Sequence, residues 1–143
     1  MNNLERFVRA QEHSYAQALS EINAGSKYSH WIWYIFPQLK GLGRSYNSDY
    51  YGLDSVAEAV AYLAHPVLAP RLREITMALL EHSGKAHKDI LGNIDARKVC
   101  SSMTLFEYVC PNDVFTRVID EFYNGHRCKR TLRMIAASGI ILS

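Results

Sequence analysis

The chain has 143 residues, with 16 Lys and Arg against 14 Asp and Glu, for a net charge of +2. Hydrophobic residues make up 48% and charged ones 21% of it, and Leu, Ile, Val and Phe together form about a quarter of the sequence, above the ~20% below which chains stay disordered. This describes one domain over residues 1–143 that can bury a core without disulfide or metal staples; it excludes a disordered inhibitor, a collagen-like repeat, a disulfide miniprotein and a strongly basic nucleic-acid binder.

Asn3 to Ala24 reads as an amphipathic helix. Leu4, Phe7, Val8, Gln11, Tyr15, Ala18, Leu19 and Ile22 recur at three- and four-residue steps. Asn3 can cap its start and Gly25 can end it, and Arg6, Arg9, Glu12 and His13 fall off the stripe toward water. Ser29 to Pro37 is apolar all round and suggests a short buried helix capped by Ser29, although its aromatic content also fits a strand. Gln38 to Asn47 reads as a loop.

Ser55 and Glu58 form a capping-box pattern that opens a helix through about Ala64. His65-Pro66 interrupts, and a longer helix runs from about Pro70 to His82. One or two turns follow over Ala86 to Leu91. A strong helix spans Asp95 to Val109, and another, capped by Asn112 or Asp113, reaches Tyr123. A last helix runs from about Lys129 to Ala137. No period-2 strand is evident, so the expected architecture is an all-α, orthogonal or horseshoe-like array of six to eight helices.

The N-terminal stretch contains Glu5, Arg6, Arg9 and Glu12 and lacks the apolar core of a signal peptide. The longest apolar run, Trp31 to Phe36, is too short to span a bilayer. Cys100, Cys110 and Cys128 include no CxxC pair and read as reduced thiols of a cytoplasmic protein. His126 and Cys128 do not make a zinc set. No metal site and no cofactor is expected.

Two stretches concentrate the unusual residues. The first holds His30, Trp31, Trp33, Gln38, Gly41, Gly43, Arg44 and Ser45. Its aromatics suit either a core anchor or a pocket wall, with Gln38, Arg44 and Ser45 as polar contacts. The Gly41-Leu42-Gly43-Arg44-Ser45 run suits either a plain turn or a nest of backbone N–H groups around an anion. His30 reads as a satisfied core histidine, with a general base as the other option. The second stretch holds Lys98, Ser101, Ser102 and Thr104 on one helix. Hydroxyls in mid-helix compete with backbone hydrogen bonds, so packing, an interhelix network or a polar pocket must offset them. A lysine-activated serine has the wrong order of residues for known patterns. Lys129, Arg130 and Arg133 cluster near the C-terminus, but the low net charge argues against nucleic acid.

The pattern Leu4-x-Arg6-Phe7-Val8-x-Ala10-Gln11, the stretch Ser29-His30-Trp31-x-Trp33-x-x-Phe36-Pro37-Gln38-x-x-Gly41-Leu42-Gly43-x-Ser45, and Ser101-Ser102-Met103-Thr104-Leu105-Phe106 resemble the bacterial domain-of-unknown-function family eighteen-ten. Tyr62 to Leu72 fits its middle segment, and the likeness extends over about residues 3 to 135. The resemblance implies an all-α fold and no established activity. Some members are labelled calpastatin-like, which the apolar, aromatic-rich composition contradicts. The family often carries an acid just before the last helix, where this chain has Cys128, Lys129 and Arg130.

Three functional expectations follow. In the first, the two stretches converge on a pocket for a small anionic or nucleotide-like metabolite, with His30, Trp31, Trp33, Gln38, Arg44, Ser45, Lys98, Ser101, Ser102 and Thr104 as ligand-binding candidates. In the second, the chain is a helical protein-protein interaction module. In the third, it is a homodimer that buries the aromatic stretch.

Overall fold

The computed structural model describes residues 3–138, and its first helix, α1 (Glu5–Ala24), buries the predicted stripe through Phe7, Gln11, Ala18 and Ile22. Gly25 ends α1 in the left-handed conformation at φ 75°, where a side chain would be strained. Leu4, and not Asn3, occupies the cap position, with no side-chain cap.

Nine helices follow one another among the described residues. They are α1, α2 (Ile32–Ile35), α3 (Tyr46–Tyr50), α4 (Val56–Ala64), α5 (Leu68–Leu80), α6 (His87–Leu91), α7 (Asn93–Val109), α8 (Val114–Phe122) and α9 (Lys129–Ala137). The all-α expectation holds: apart from an isolated parallel bridge between Leu39 and Leu53, no β pairing occurs among the described residues. The count exceeds the expected six to eight because α3 lies at the end of the expected loop. Five residues are too few to display a helical period, and α3 rests on Ser45, whose Oγ accepts from the Ser48 N–H at 3.1 Å.

Caps explain the other shifts. Ser55 caps α4 as expected, and the Glu58 carboxylate reaches back to the Asp54 N–H at 2.9 Å. α5 begins at Leu68 and not Pro70, because the His65 ring Nδ1 accepts from the Val67 and Leu68 N–H groups at 3.1 and 3.2 Å. Asp113, and not Asn112, caps α8 through a 2.7 Å bond to the Val114 N–H. Ser29 caps nothing; Trp31 precedes the single turn of α2.

Helix α7 packs against α2, α4, α6, α8 and α9, while α1 and α5 pack together and α5 also meets α8. Phe106, Phe115, Tyr62 and Leu72 are among the large side chains fully buried between them. Each such side chain contributes roughly 1.5–3 kcal/mol over its exposed state.

One buried element was not expected. Arg6, predicted to face water, is 8% exposed and pairs with Glu58, 1% exposed, at 3.0 Å. Its guanidinium also donates to the Tyr50 and Gly52 carbonyls at 2.7 and 2.9 Å. The extended Arg6 side chain turns off the α1 stripe toward α4 because these acceptors satisfy its donors, which a periodicity plot cannot register.

Candidate functional site

Glu21 organises the aromatic stretch. One carboxylate oxygen accepts from the Tyr28 N–H at 2.8 Å, the Ser29 N–H at 3.0 Å and the Trp31 indole N–H at 3.1 Å. The other accepts from Gln17 at 2.8 Å. Burial alone would raise this carboxyl, but the hydrogen bonds outweigh it and hold the group at about 2. Trp31 is consequently a core anchor, 1% exposed, with the Lys27 ammonium 4.7 Å from its ring centroid.

Trp33, on the opposite side of α2, is half-buried and faces α7. The Lys98 ammonium sits 3.9 Å from its ring centroid and 3.2 Å from Asp95. The second Asp95 oxygen binds Lys27 at 2.7 Å, so one carboxylate links α7 to the segment leading into α2. Ser101 is buried and exchanges a 2.7 Å hydrogen bond with Thr131 of α9. This interhelix bond offsets the cost of a hydroxyl in mid-helix.

Trp33, Gln38, Lys98 and Ser101 line one cleft of about 380 Å³. Gly43 and Leu42 close one side, and the rim carries Ile94, Arg97 and Arg130. Arg97 and Arg130 make no ion pair among the described residues. Arg130 lies 3.4 Å from the carbonyls of Gly41 and Leu42. The glycine loop therefore turns carbonyls toward a guanidinium, which is not the geometry of an N–H nest around an anion. Gly43 is needed for space: a Cβ there would lie 2.9 Å from the Ser48 Cβ.

The remaining candidates lie elsewhere. His30 is exposed, so it is not the core histidine that the sequence suggested; that position belongs to His87. Arg44 is exposed and Ser45 serves as the α3 cap, both off the cleft wall. Ser102 is fully buried, its hydroxyl unbonded among the described residues. Thr104 donates to the Cys100 carbonyl at 2.8 Å and accepts from the Cys128 N–H at 3.0 Å.

The residues that sequence reasoning missed are Ile94, Arg97 and Cys128. Arg130 carried a signal: cations in the first turn of a helix oppose its dipole, and α9 begins with Lys129 and Arg130 and no acid. Arg97 carried none. A second cleft of about 430 Å³ shares Arg97 and Cys128 with the first and adds Cys100, Tyr123, His126 and Arg127. Arg127 is committed to Glu107 through two bonds of 2.8 and 2.7 Å.

Among the described residues no group of three or more His, Cys, Asp or Glu could hold a metal ion, and no helix is long and apolar enough to cross a membrane.

No curated protein matches the chain. The crystal structure of the conserved hypothetical protein Rv1873 from Mycobacterium tuberculosis is similar, with a TM-score of 0.91 and 41% sequence identity over 94% of this chain and 96% of that one. The family described as "Protein of unknown function (DUF1810)" matches residues 1–135. The shared all-α fold and that match together place the chain: it belongs to the DUF1810 family.

Proposed function

We propose that the cleft between α2 and α7 binds a small anionic metabolite bearing a planar group. The observation that carries this reading is the meeting of Trp33 and Gln38 with Lys98 and Ser101, sixty or so residues later in the chain, beneath two arginines that have no ion-pair partner among the described residues. Arg97 and Arg130 supply charge-assisted donors for a phosphate or carboxylate. Lys98 is partly neutralised by Asp95 and tunes the approach to the Trp33 ring. Gln38, 7% exposed and without a side-chain hydrogen bond among the described residues, offers both an acceptor and donors to the planar part.

Titration calorimetry with inorganic phosphate and with a nucleoside monophosphate tests the reading. Saturable binding is expected, tighter for the nucleotide, weakened by salt, and reduced at least tenfold in an Arg97→Ala, Arg130→Ala double variant. Absence of binding for both probes, or affinity indifferent to the two arginines, overturns it.

A further inference from the structure

We propose that Cys100 and Cys128 form an oxidisable thiol pair, which a hydroperoxide converts to a disulfide joining α7 to the start of α9. The two cysteines are 28 positions apart in a chain whose third cysteine lies elsewhere. The Thr104 hydroxyl joins them: its oxygen is 2.8 Å from the Cys100 carbonyl and 3.0 Å from the Cys128 amide nitrogen. The shared hydroxyl holds the two backbones on the same side of α7, and a disulfide forms when their Cα atoms come within roughly 4.4–6.8 Å. Both cysteines line the second cleft, so a small oxidant can reach them. The Cys100 sulfur lies 3.5 Å from the carbonyl of His126, two residues before Cys128. Cys128 holds the cap position of α9 but makes no side-chain cap bond, so its sulfur is not committed there. Cys110, by contrast, sits beside Arg73 and Asp113 at 3.7 and 3.4 Å and is outside the pair.

The order of events follows from placement: Cys128 lines both clefts, whereas the Cys100 thiol donates to the His126 carbonyl and is pushed up to about 11 by burial. Cys128 reacts first. Its thiolate attacks one peroxide oxygen, the O–O bond breaks, and hydroxide leaves as water after taking a proton, giving a sulfenic acid. The Cys100 sulfur then attacks the Cys128 sulfur; the S–S bond forms, the S–O bond breaks, and the Cys100 proton leaves with the departing hydroxide as a second water. Two thiols lose two electrons and the peroxide gains them. Because Cys128 also lines the first cleft, the bond alters that wall; this consequence alone rests on the proposed function.

The test is peptide mapping of the full chain after treatment with hydrogen peroxide and alkylation of the remaining thiols. The expected product is a Cys100–Cys128 linked peptide, two hydrogens lighter than its parts, reversed by dithiothreitol, unchanged in Cys110→Ser and absent in Cys100→Ser. In Cys100→Ser the Cys128 sulfenic acid should persist and be trapped by dimedone. Overoxidation of Cys128 with Cys100 still alkylatable, or a link through Cys110 or between molecules, overturns the proposal. Phosphate titration before and after oxidation separates the two readings: a disulfide without any phosphate binding before oxidation counts only against the metabolite cleft, whereas phosphate binding before oxidation without a disulfide counts only against the thiol pair.

Discussion

The Lys98 ammonium stands 3.9 Å from the centre of the Trp33 ring, so α7 and α2 meet through a cation on an aromatic face. Lys98→Met keeps the side-chain length and removes the charge. Isothermal titration should show inorganic phosphate binding weakened about tenfold, in line with the ~1.5–3 kcal/mol of a charged hydrogen bond. The melting temperature should change little, because Asp95 keeps its pair with Lys27 and the methionine side chain still packs on the Trp33 ring. A variant with unaltered affinity removes Lys98 from the site.

Arg6 and Glu58 form a buried ion pair between α1 and α4. Arg6→Met strands the Glu58 carboxylate, which burial would raise but which the Arg6 guanidinium holds low. Loss of about 3–5 kcal/mol is expected in urea unfolding. Adding Glu58→Gln to Arg6→Met should recover part of it, because the stranded charge is then gone. Equal losses in the single and double variants would contradict this account.

His87 predicts a pH dependence of stability. Its ring is 3% exposed and stacks on Phe122 with centroids 3.9 Å apart, while its Nδ1 meets the Tyr123 hydroxyl at 2.6 Å. That hydroxyl donates to the Ala96 carbonyl at 2.6 Å, so the His87 Nδ1–H is the donor to it. Burial lowers His87 from 6.5 to about 4. Between those values the unfolded chain binds more protons than the folded one, so stability falls as pH drops from about 6.5 to 4. Melting temperatures across that range should decline, and His87→Leu should flatten the decline. Glu21, held at about 2, adds a separate loss only below about 4.5.

Gly52 has no room for a side chain. A Cβ there would lie 2.6 Å from the Lys40 Cα and 2.7 Å from the Ser48 carbonyl oxygen, both backbone atoms. Gly52→Ala should cost about 1–3 kcal/mol by denaturant unfolding and displace the Leu39–Leu53 bridge. Gly84→Ala is the contrast, because nothing lies near its Cβ position. Its cost should come only from the positive φ of 96°.

How much of this was legible varied with length. The long helices α1, α5 and α7 displayed enough turns for their apolar stripes to be counted, and Ser55 with Glu58 spelled out a cap. The single turn α2 was legible as a short buried helix but not in its limits, because Glu21 fixes the segment before it, and α3 was not legible, because five residues and one serine cap show no period. The site was half-visible for the same reason. Trp33, Gln38, Lys98 and Ser101 stood out as residue types that fit poorly in an ordinary core or helix. Which of their neighbours shared the cleft depended on rotation about α2: Trp31 and Trp33 are two positions apart and point to opposite sides. Arg97 looked like any solvated helix residue and needed the packing of α9 to become a rim residue.

The Glu21 knot has a consequence for anyone wishing to retune the cleft. Its hydrogen bonds tie the segment leading into Trp33 to α1. Rim positions such as Ile94, at 70% exposure, can be varied for selectivity without disturbing that anchorage. A substitution at Glu21, which touches no cleft residue directly, would loosen the wall from behind and blur every preference engineered at the rim.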